Sequence, residues 1–450
     1  MGKSFDKALM GAAGTDGSYE IDQSISLNSV SVPNIYRQLE ATGNRRTFTL
    51  SYWLKPSLIS TDSSVSIDSG NSGGTSYAFF GFRTYSIRFQ LINGNSSVGL
   101  LQTNAVFRDS GAWYHIVGVV DTTQGTAANR MKLYVNGTQI TSFSTATYPS
   151  QNLDTAFSVD DNFINVGANT YWNTDNSYNG GIDGNMAEVH VIDGAAKAPS
   201  DFGETSEDTG QWIPKKYGGG SYGTNGFYGK FVSGAIGTDS SGQGNTMTVA
   251  NLANADVVPD TPTNNFATLN PLVPTSSTFS EGNLKATMGN GGNGKFVSTI
   301  GASSGKYYME IPWLGVANFG VGIAKSNNAQ TYLGSAGDDV QFFLAGSSTS
   351  LYKNGGNNSW AGTNTGWSNN DMVGLALDAT NQTIAVYKNG SSIGSYDYSS
   401  LGYKQTFFGG GHSINGMIYL PNFGQNPTHS GTVTAGSATD GNGIGLFKNA

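Results

Sequence analysis

A chain of 450 residues with 63 glycines, no cysteine and a formal net charge of −8 has room for two or three domains, none of them held by disulfides or thiolate-bound metal. Charged residues make up only 12%, and the 23 Lys and Arg form no basic cluster, which argues against a nucleic-acid footprint. At 37% hydrophobic, with 23 Phe and 22 Tyr, the chain is too apolar for a disordered class, yet no run approaches the ~18 residues of a membrane span.

Residues 1–17 (MGKSFDKALMGAAGTDG) hold no apolar stretch of secretory-signal length, which implies synthesis in a cytoplasm. Within them the spacing predicts a short helix over 4–10 with Phe5 and Leu9 on one face. Such a segment either docks on a partner through Phe5, Leu9 and Met10 or frays, being too short to stand alone. From residue 19 the pattern turns to β. The run 47–54 (TFTLSYWL) alternates Phe48, Leu50, Tyr52 and Leu54, so one face is buried. Further strands are expected at 19–27, 77–82, 86–91, 114–120, 130–135, 163–166 and 186–192, separated by Gly, Asn and Ser turns.

Over 195–275 the periodicity weakens and six prolines punctuate the chain (199, 214, 259, 262, 271 and 274). Trp212, Phe227, Tyr228, Phe231, Phe266 and Leu269 are too apolar to leave in water, so this stretch reads as a connector packed against one or both neighbours. Strands return at 306–311, 319–324, 340–344, 372–377, 383–387 and 406–408. One phrase is written twice: KLYVNGTQI at 132–140 and AVYKNGSSI at 385–393, each after an apolar strand ending in Asp (YHIVGVVD, MVGLALD). Asn136-Gly137 and Asn389-Gly390 predict type I′ hairpin turns, and the repetition predicts two related domains. The expected fold class is all-β: two concanavalin A-like β-sandwich (jelly-roll) domains at 18–196 and 276–450, joined by the Gly/Pro-rich, partly packed connector 197–275, with 1–17 a docking or flexible segment.

TFTLSYWLKP at 47–56, WYHIVGVVD at 113–121, KLYVNG at 132–137 and GNMAEVHVIDG at 184–194 together resemble a laminin G-like (concanavalin A-like) domain. SSGKYYMEI at 303–311, FGVGIA at 319–324, MVGLALD at 372–378 and IAVYKNG at 384–390 resemble a SPRY domain of the same sandwich architecture. The order that follows the first domain runs PSDFGE (199–204), TGQWIPKKYGG (209–219), YGTNGFY (222–228), DSSGQGN (239–245), DTPTNNFATLNPL (260–272) and SEGNL (280–284). Over nearly the whole chain it is similar to structural proteins of tailed bacteriophages, especially of marine bacteria. The resemblance implies a virion component such as a tail fibre, with other virion proteins as partners. It implies a place more than a chemistry.

The residues themselves offer little catalysis. Glycoside hydrolysis needs two carboxylates about 5–10 Å apart, and Glu188 and Asp193, five apart, face opposite sides of a regular strand. Glu188 and His190 share a face, as an acid–base pair or as the polar outer face of a half-buried strand. His115 reads as a packed, hydrogen-bonded histidine within an apolar strand; His412 and His429 stand alone; Glu310 has no carboxylate companion. No zinc motif, nucleophile elbow or phosphate loop is present. No cofactor is expected, and Asp160-Asp161-Asn162 could lend oxygens to calcium without defining a site.

Sugar recognition fits two aromatic, amide-rich loops: 169–179, with Tyr171, Trp172, Asp175 and Tyr178, and 357–371, with Asn358, Trp360, Trp367 and Asn369. The competing reading of each is a turn-dense loop whose rings fold back on the sheet. The expectation is a non-enzymatic, exposed virion protein that contributes to host-surface glycan attachment as an oligomer, for instance a trimer, with no nucleic-acid partner and no membrane insertion. Its rivals are a capsid decoration or tail-assembly protein that binds no sugar, and a polysaccharide depolymerase.

Overall fold

The structure, a computed structural model, describes residues 7–8, 19–28, 31–57, 63–169, 181–273, 275–289, 294–315, 318–325, 339–353, 356–358, 360–411, 414–441 and 443–449. It is all-β, and its helical pieces are three-residue 3-10 turns such as Ala127–Asn129 and Ser399–Leu401. No helix among the described residues is long and apolar enough to cross a membrane. The chain divides into two compact units, Ala13–Asn264 and Asn265–Ala450, the latter joined by Met1–Ala12.

The first unit is a sandwich of two antiparallel sheets. One runs in the order Thr138–Gln139, Met131–Val135, Tyr114–Asp121, Thr47–Pro56, Gly184–Asp193, Ser24–Leu27, Val257–Val258. The other runs Phe143–Thr147, Ser96–Val106, Ser86–Asn93, Tyr77–Arg83, Ser63–Gly70, Phe163–Val166, Asn34–Gln38, Thr248–Ala250. The strand Thr47–Pro56 shows how the sheets meet. Its even residues Phe48, Leu50, Tyr52 and Leu54 fill the core between the sheets, where Phe48 stacks on Phe157 at 4.0 Å and Tyr52 meets Phe80 edge-on at 5.4 Å. Its odd residues Thr49, Ser51, Trp53 and Lys55 are also buried, so the opposite face is covered too.

The cover comes from the stretch read as a connector. Phe202, Tyr222 and Tyr228 lie buried over Val117, Val119 and Ile192, while half-buried Trp212 packs against a group containing Trp53 and Trp113. Phe227–Gly229 pairs with Gly184–Asp193, Thr248–Ala250 with Asn34–Gln38, and Val257–Val258 with Ser24–Leu27. Residues 199–258 are therefore structural parts of the first sandwich.

The repeated phrase builds the same device in both units. Asn136 and Gly137 take φ of 46° and 77°, and Asn389 and Gly390 take 48° and 81°, the paired positive values of a type I′ turn. The Asn136 amide oxygen accepts from His115 N at 2.8 Å while Asn136 N donates to His115 O at 2.9 Å. Asn389 does the same with Met372, at 2.7 and 2.9 Å. Each asparagine thus ties the turn to the start of the strand one hairpin earlier.

In the second unit, Lys306–Pro312, Met372–Asp378, Thr383–Lys388 and Ser391–Asp397 form one sheet. Lys295–Val297, Phe407–Gly411, Asn318–Ala324, Val340–Ala345, Ser348–Lys353 and Gly356–Asn358 form the facing one. Met309, Ile311, Phe319, Phe342, Leu375 and Phe408 lie between them. The outer face of the first sheet is closed by the hairpin Ala438–Thr439 and Leu446–Phe447, whose Phe447 meets Tyr308 edge-on at 5.2 Å. Beneath it Glu310 is fully buried: its carboxylate accepts from Lys448 N and Asn449 N at 2.7 Å each and from the Tyr308 hydroxyl at 3.2 Å.

The short helix expected over 4–10 does not form at the residues that are described. Lys7–Ala8 is extended and pairs in parallel with Tyr307 and Tyr308 at the sheet edge. Two turns of helix supply too few backbone bonds to offset nucleation, whereas an existing edge offers them ready-made. Phe5, Leu9 and Met10 lie outside the described residues.

Candidate functional site

The covered face of the first sandwich carries a buried polar cluster, and a backbone irregularity shapes it. Gly184–Asp193 follows Thr47–Pro56 in register up to Ala187, slips, and resumes at His190. Glu188 sits in this bulge with φ of 50°, a conformation that costs a non-glycine residue about 1–3 kcal/mol. Tyr228, paired opposite His190, directs its hydroxyl to the Glu188 carboxylate at 2.7 Å to each oxygen. The Tyr19 hydroxyl donates to Oε2 at 3.2 Å and lies 2.9 Å from the Tyr228 oxygen. His190 places Nε2 3.6 Å from Glu188 Oε2, bonds the Tyr222 hydroxyl through Nδ1 at 2.8 Å, and stacks on the Tyr228 ring at 4.3 Å.

Glu188 and His190 do share a face, but it is not the solvent-exposed polar face expected from alternation; they are 6% and 2% exposed beneath the tyrosines. Asp193 serves elsewhere, accepting from Asn44 N, Asn225 N and the Ser158 hydroxyl. No pairing of Glu188 with Asp193 is built. Burial, with the Glu188 charge second, pushes Tyr19 up to about 12; burial, with Asp201 second, pushes Tyr217 up to about 12; Tyr222 and Tyr228 are raised further, again mainly by burial. At neutral pH these hydroxyls are protonated hydrogen-bonding groups.

Two open recesses flank the cluster. One, of about 250 Å³, is lined by Tyr19, Glu20, Asp22, Gln23, Glu188 and Lys230 among others. Its neighbour, of about 360 Å³, shares Tyr19 and Lys230 and adds Lys216, Tyr217, Tyr222, Tyr228, Ser240 and Ser241. Such volumes are near the lower end of the small-ligand range. Periodicity could not single these residues out, since they come from 19–23, 188 and 216–241. The aromatic density of YGGGSYGTNGFYGK at 217–230 was the available signal.

His115 lies on the same face and is packed and hydrogen-bonded as expected. Its Nδ1 accepts from Trp212 Nε1 at 3.0 Å, so Nε2 carries the proton and donates to Ser51 Oγ at 2.9 Å. Protonating Nδ1 would set two N–H groups against each other. Burial, then the neighbouring His190, lowers its pKa to about 3. A histidine whose folded pKa lies below its unfolded value of about 6.5 stabilises the fold fully above that value, and loses the contribution as pH falls toward 3. The expected result is an acid-labile first sandwich, with a loss on the order of 4 kcal/mol across that window. Urea unfolding followed by tryptophan fluorescence from pH 7 to 4 checks it, since His115→Gln should flatten the slope.

The other expected site residues are distributed differently. Tyr171, Trp172, Asp175 and Tyr178 lie outside the described residues, as does His412. The backbone of Asn358 ends the strand Gly356–Asn358, and Asn369 is exposed in the turn before Met372–Asp378. Trp367 is 3% exposed, donates from Nε1 to Thr349 Oγ1 at 3.0 Å and has Lys388 over its ring, so it offers no free face. Trp360 is half-buried and meets Phe342 edge-on at 5.4 Å. His429 is buried with Nδ1 on Leu420 O at 2.6 Å, and burial lowers its pKa to about 4. Asp160 and Asp161 are exposed, whereas Asn162 is buried and spends its side chain on Ala156 O at 3.1 Å. Among the described residues no three acidic or histidine side chains are grouped to hold a metal.

Two stacked-sheet bodies with a polar cleft outside the sheets define a β-sandwich protein of the concanavalin A-like kind. Residues 26–200 match the family model described as the Concanavalin A-like lectin/glucanases superfamily, of laminin G type. No curated protein matches the chain. Solved structures similar to it include domains LG4-5 of the mouse laminin alpha1 chain, at 10% identity and a TM-score of 0.34, covering 92% of this chain and 84% of that one. The SPRY domain of human HERC1 has 18% identity and a TM-score of 0.29, covering 34% and 96%. A heptameric SAP-like pentraxin from Limulus polyphemus has 16% identity and a TM-score of 0.30, covering 40% and 80%. With scores this low, the fold class rests on the sheets and on the family match.

Proposed function

We propose that the protein is a non-catalytic attachment component of a tailed-phage particle, exposed on the virion and binding host-surface glycan through several weak contacts. The observation that carries the binding half is the open, tyrosine-lined cleft, in which the Glu188 carboxylate is held by the Tyr228 and Tyr19 hydroxyls. Laminin G-like and SPRY-like folds are typically binding domains, which favours the same reading. The virion placement is supported by the motif order of residues 184–284. One millimolar site is worth only about −4 kcal/mol, so useful attachment requires several copies acting together.

The test is capture of the oligomeric protein on glycan arrays and purified host envelope, combined with its localisation on intact particles by labelled imaging. Capture with a tail or fibre position supports the proposal. Occupancy of the head lattice without capture would replace it with capsid decoration, and release of reducing ends from host polysaccharide would replace it with a depolymerase.

A further inference from the structure

The two recesses beside Glu188 differ in their balance of charge. The smaller is lined by Glu20, Asp22 and Glu188 together with Lys230, which both recesses share; the larger adds Lys216 and has no carboxylate in its lining. In a chain of net charge −8 this local excess is unusual, and among the described residues neither lysine has a carboxylate within ion-pair distance. Lys230 Nζ lies 5.5 Å from the centre of the Tyr228 ring, a cation–π contact that leaves its N–H groups available outward. Both lysines are exposed, whereas Tyr222 and Tyr228 are buried walls at 6% and 9% exposure.

The tyrosines form a fixed surface. Tyr217 stacks on Phe202 at 5.0 Å and meets Tyr222 edge-on at 5.1 Å, and Tyr222 lies parallel to Tyr228 at 6.2 Å. The hydroxyls of Tyr19, Tyr222 and Tyr228 bond within the protein, while that of Tyr217 is buried with no hydrogen-bond partner, an unfavourable arrangement that a bound group would relieve. Ser240 and Ser241 complete the rim, the Ser241 hydroxyl donating to the Asp239 carboxylate at 2.8 Å. Aromatic walls suit the C–H faces of a sugar ring, hydroxyls suit its hydroxyls, and two free ammonium groups suit a negative charge carried by that ring.

Resting on the attachment reading above, we propose that the recess bounded by Tyr217, Tyr228, Lys216 and Lys230 is a binding site for an acidic saccharide unit, one bearing a carboxylate, sulfate or phosphate. Lys216 and Lys230 hold the anion, and Tyr217 and Tyr19 provide the ring-facing walls. None of these residues falls in the stretch 26–200 that matches the family model.

The experiment measures binding of the full chain, by glycan array and calorimetry, to a panel of uronate-, sialyl-, sulfate- and phosphate-bearing oligosaccharides beside neutral dextran and maltose oligomers, with inorganic phosphate as competitor. Acidic members should bind at least tenfold tighter than neutral ones and weaken as salt rises. Lys216→Ala with Lys230→Ala should lose at least tenfold for acidic members only. Tyr217→Ala should weaken binding as well, with Tyr217→Phe falling between it and the unmodified protein, and Lys404→Ala on the other unit should change nothing. Equal binding of neutral oligomers, full displacement by inorganic phosphate at matched charge, or an unaffected double-lysine variant overturns the site. If no panel member binds while host envelope still captures the protein, the site is wrong and the attachment reading survives; if envelope capture is absent too, both fall.

Discussion

Asp260→Ala is expected to destabilise the first sandwich by about 3–5 kcal/mol, the cost of leaving a buried charge without its counter-ion. Lys55 Nζ and Asp260 Oδ2 lie 2.8 Å apart with side chains 3% and 0% exposed, and the other carboxylate oxygen accepts from Trp113 Nε1 at 3.2 Å. Burial lowers the Lys55 pKa and Asp260 opposes the shift, so the pair is held together by the same desolvation that makes either member alone expensive. Lys55 projects from the central strand Thr47–Pro56, whereas Asp260 follows Val257–Val258. The pair therefore fastens the end of the covering segment to the middle of the sheet. Lys55→Met combined with Asp260→Leu should recover most of the loss, because an apolar pair carries no desolvation cost. Calorimetry of the two single variants and the double variant forms the cycle that checks this. Additive single losses would show that the ion pair is not the fastening.

Glu310→Ala should have a comparable effect in the second unit, about 3 kcal/mol or more, since charge-assisted hydrogen bonds contribute about 1.5–3 kcal/mol each. Removing the carboxylate strands Lys448 N and Asn449 N in a buried position and takes away a partner of the Tyr308 hydroxyl. The visible consequence is local first. Amides of 438–449 should exchange with solvent faster than those of Met372–Asp378, and a protease should trim this end before the sandwich opens. Glu310→Gln retains one acceptor and should fall between. Unchanged exchange over 438–449 in the alanine variant would remove Glu310 from this role.

What the sequence reveals depends on how far apart the interacting residues stand. Alternation within one strand correctly separates Phe48, Leu50, Tyr52 and Leu54 toward the core, and the paired Asn-Gly turns place both hairpins, because each signal is complete within ten residues. Polar strands such as Ser63–Gly70 (SSVSIDSG) and Ser391–Asp397 (SSIGSYD) carry no such signal; neighbours already in the sheet hold them. The burial of Glu188 was invisible for a different reason. It depends on a bulge that its own strand does not announce and on Tyr228, forty residues later and on another strand. The cleft follows the same rule, being assembled from 19–23, 188 and 216–241, so composition could suggest that Tyr228 leaves water but not what it would enclose.

The strands that terminate the first sandwich's sheets have a bearing on life at high local concentration. Thr138–Gln139 and Val257–Val258 are two residues long, Thr248–Ala250 three and Phe143–Thr147 five, so each exposed rim offers only a few unpaired amides and carbonyls. A stranger's extended chain finds too short a template there to zip onto. Copies brought close together can accordingly touch through loops and side chains without fusing their sheets into a common ribbon.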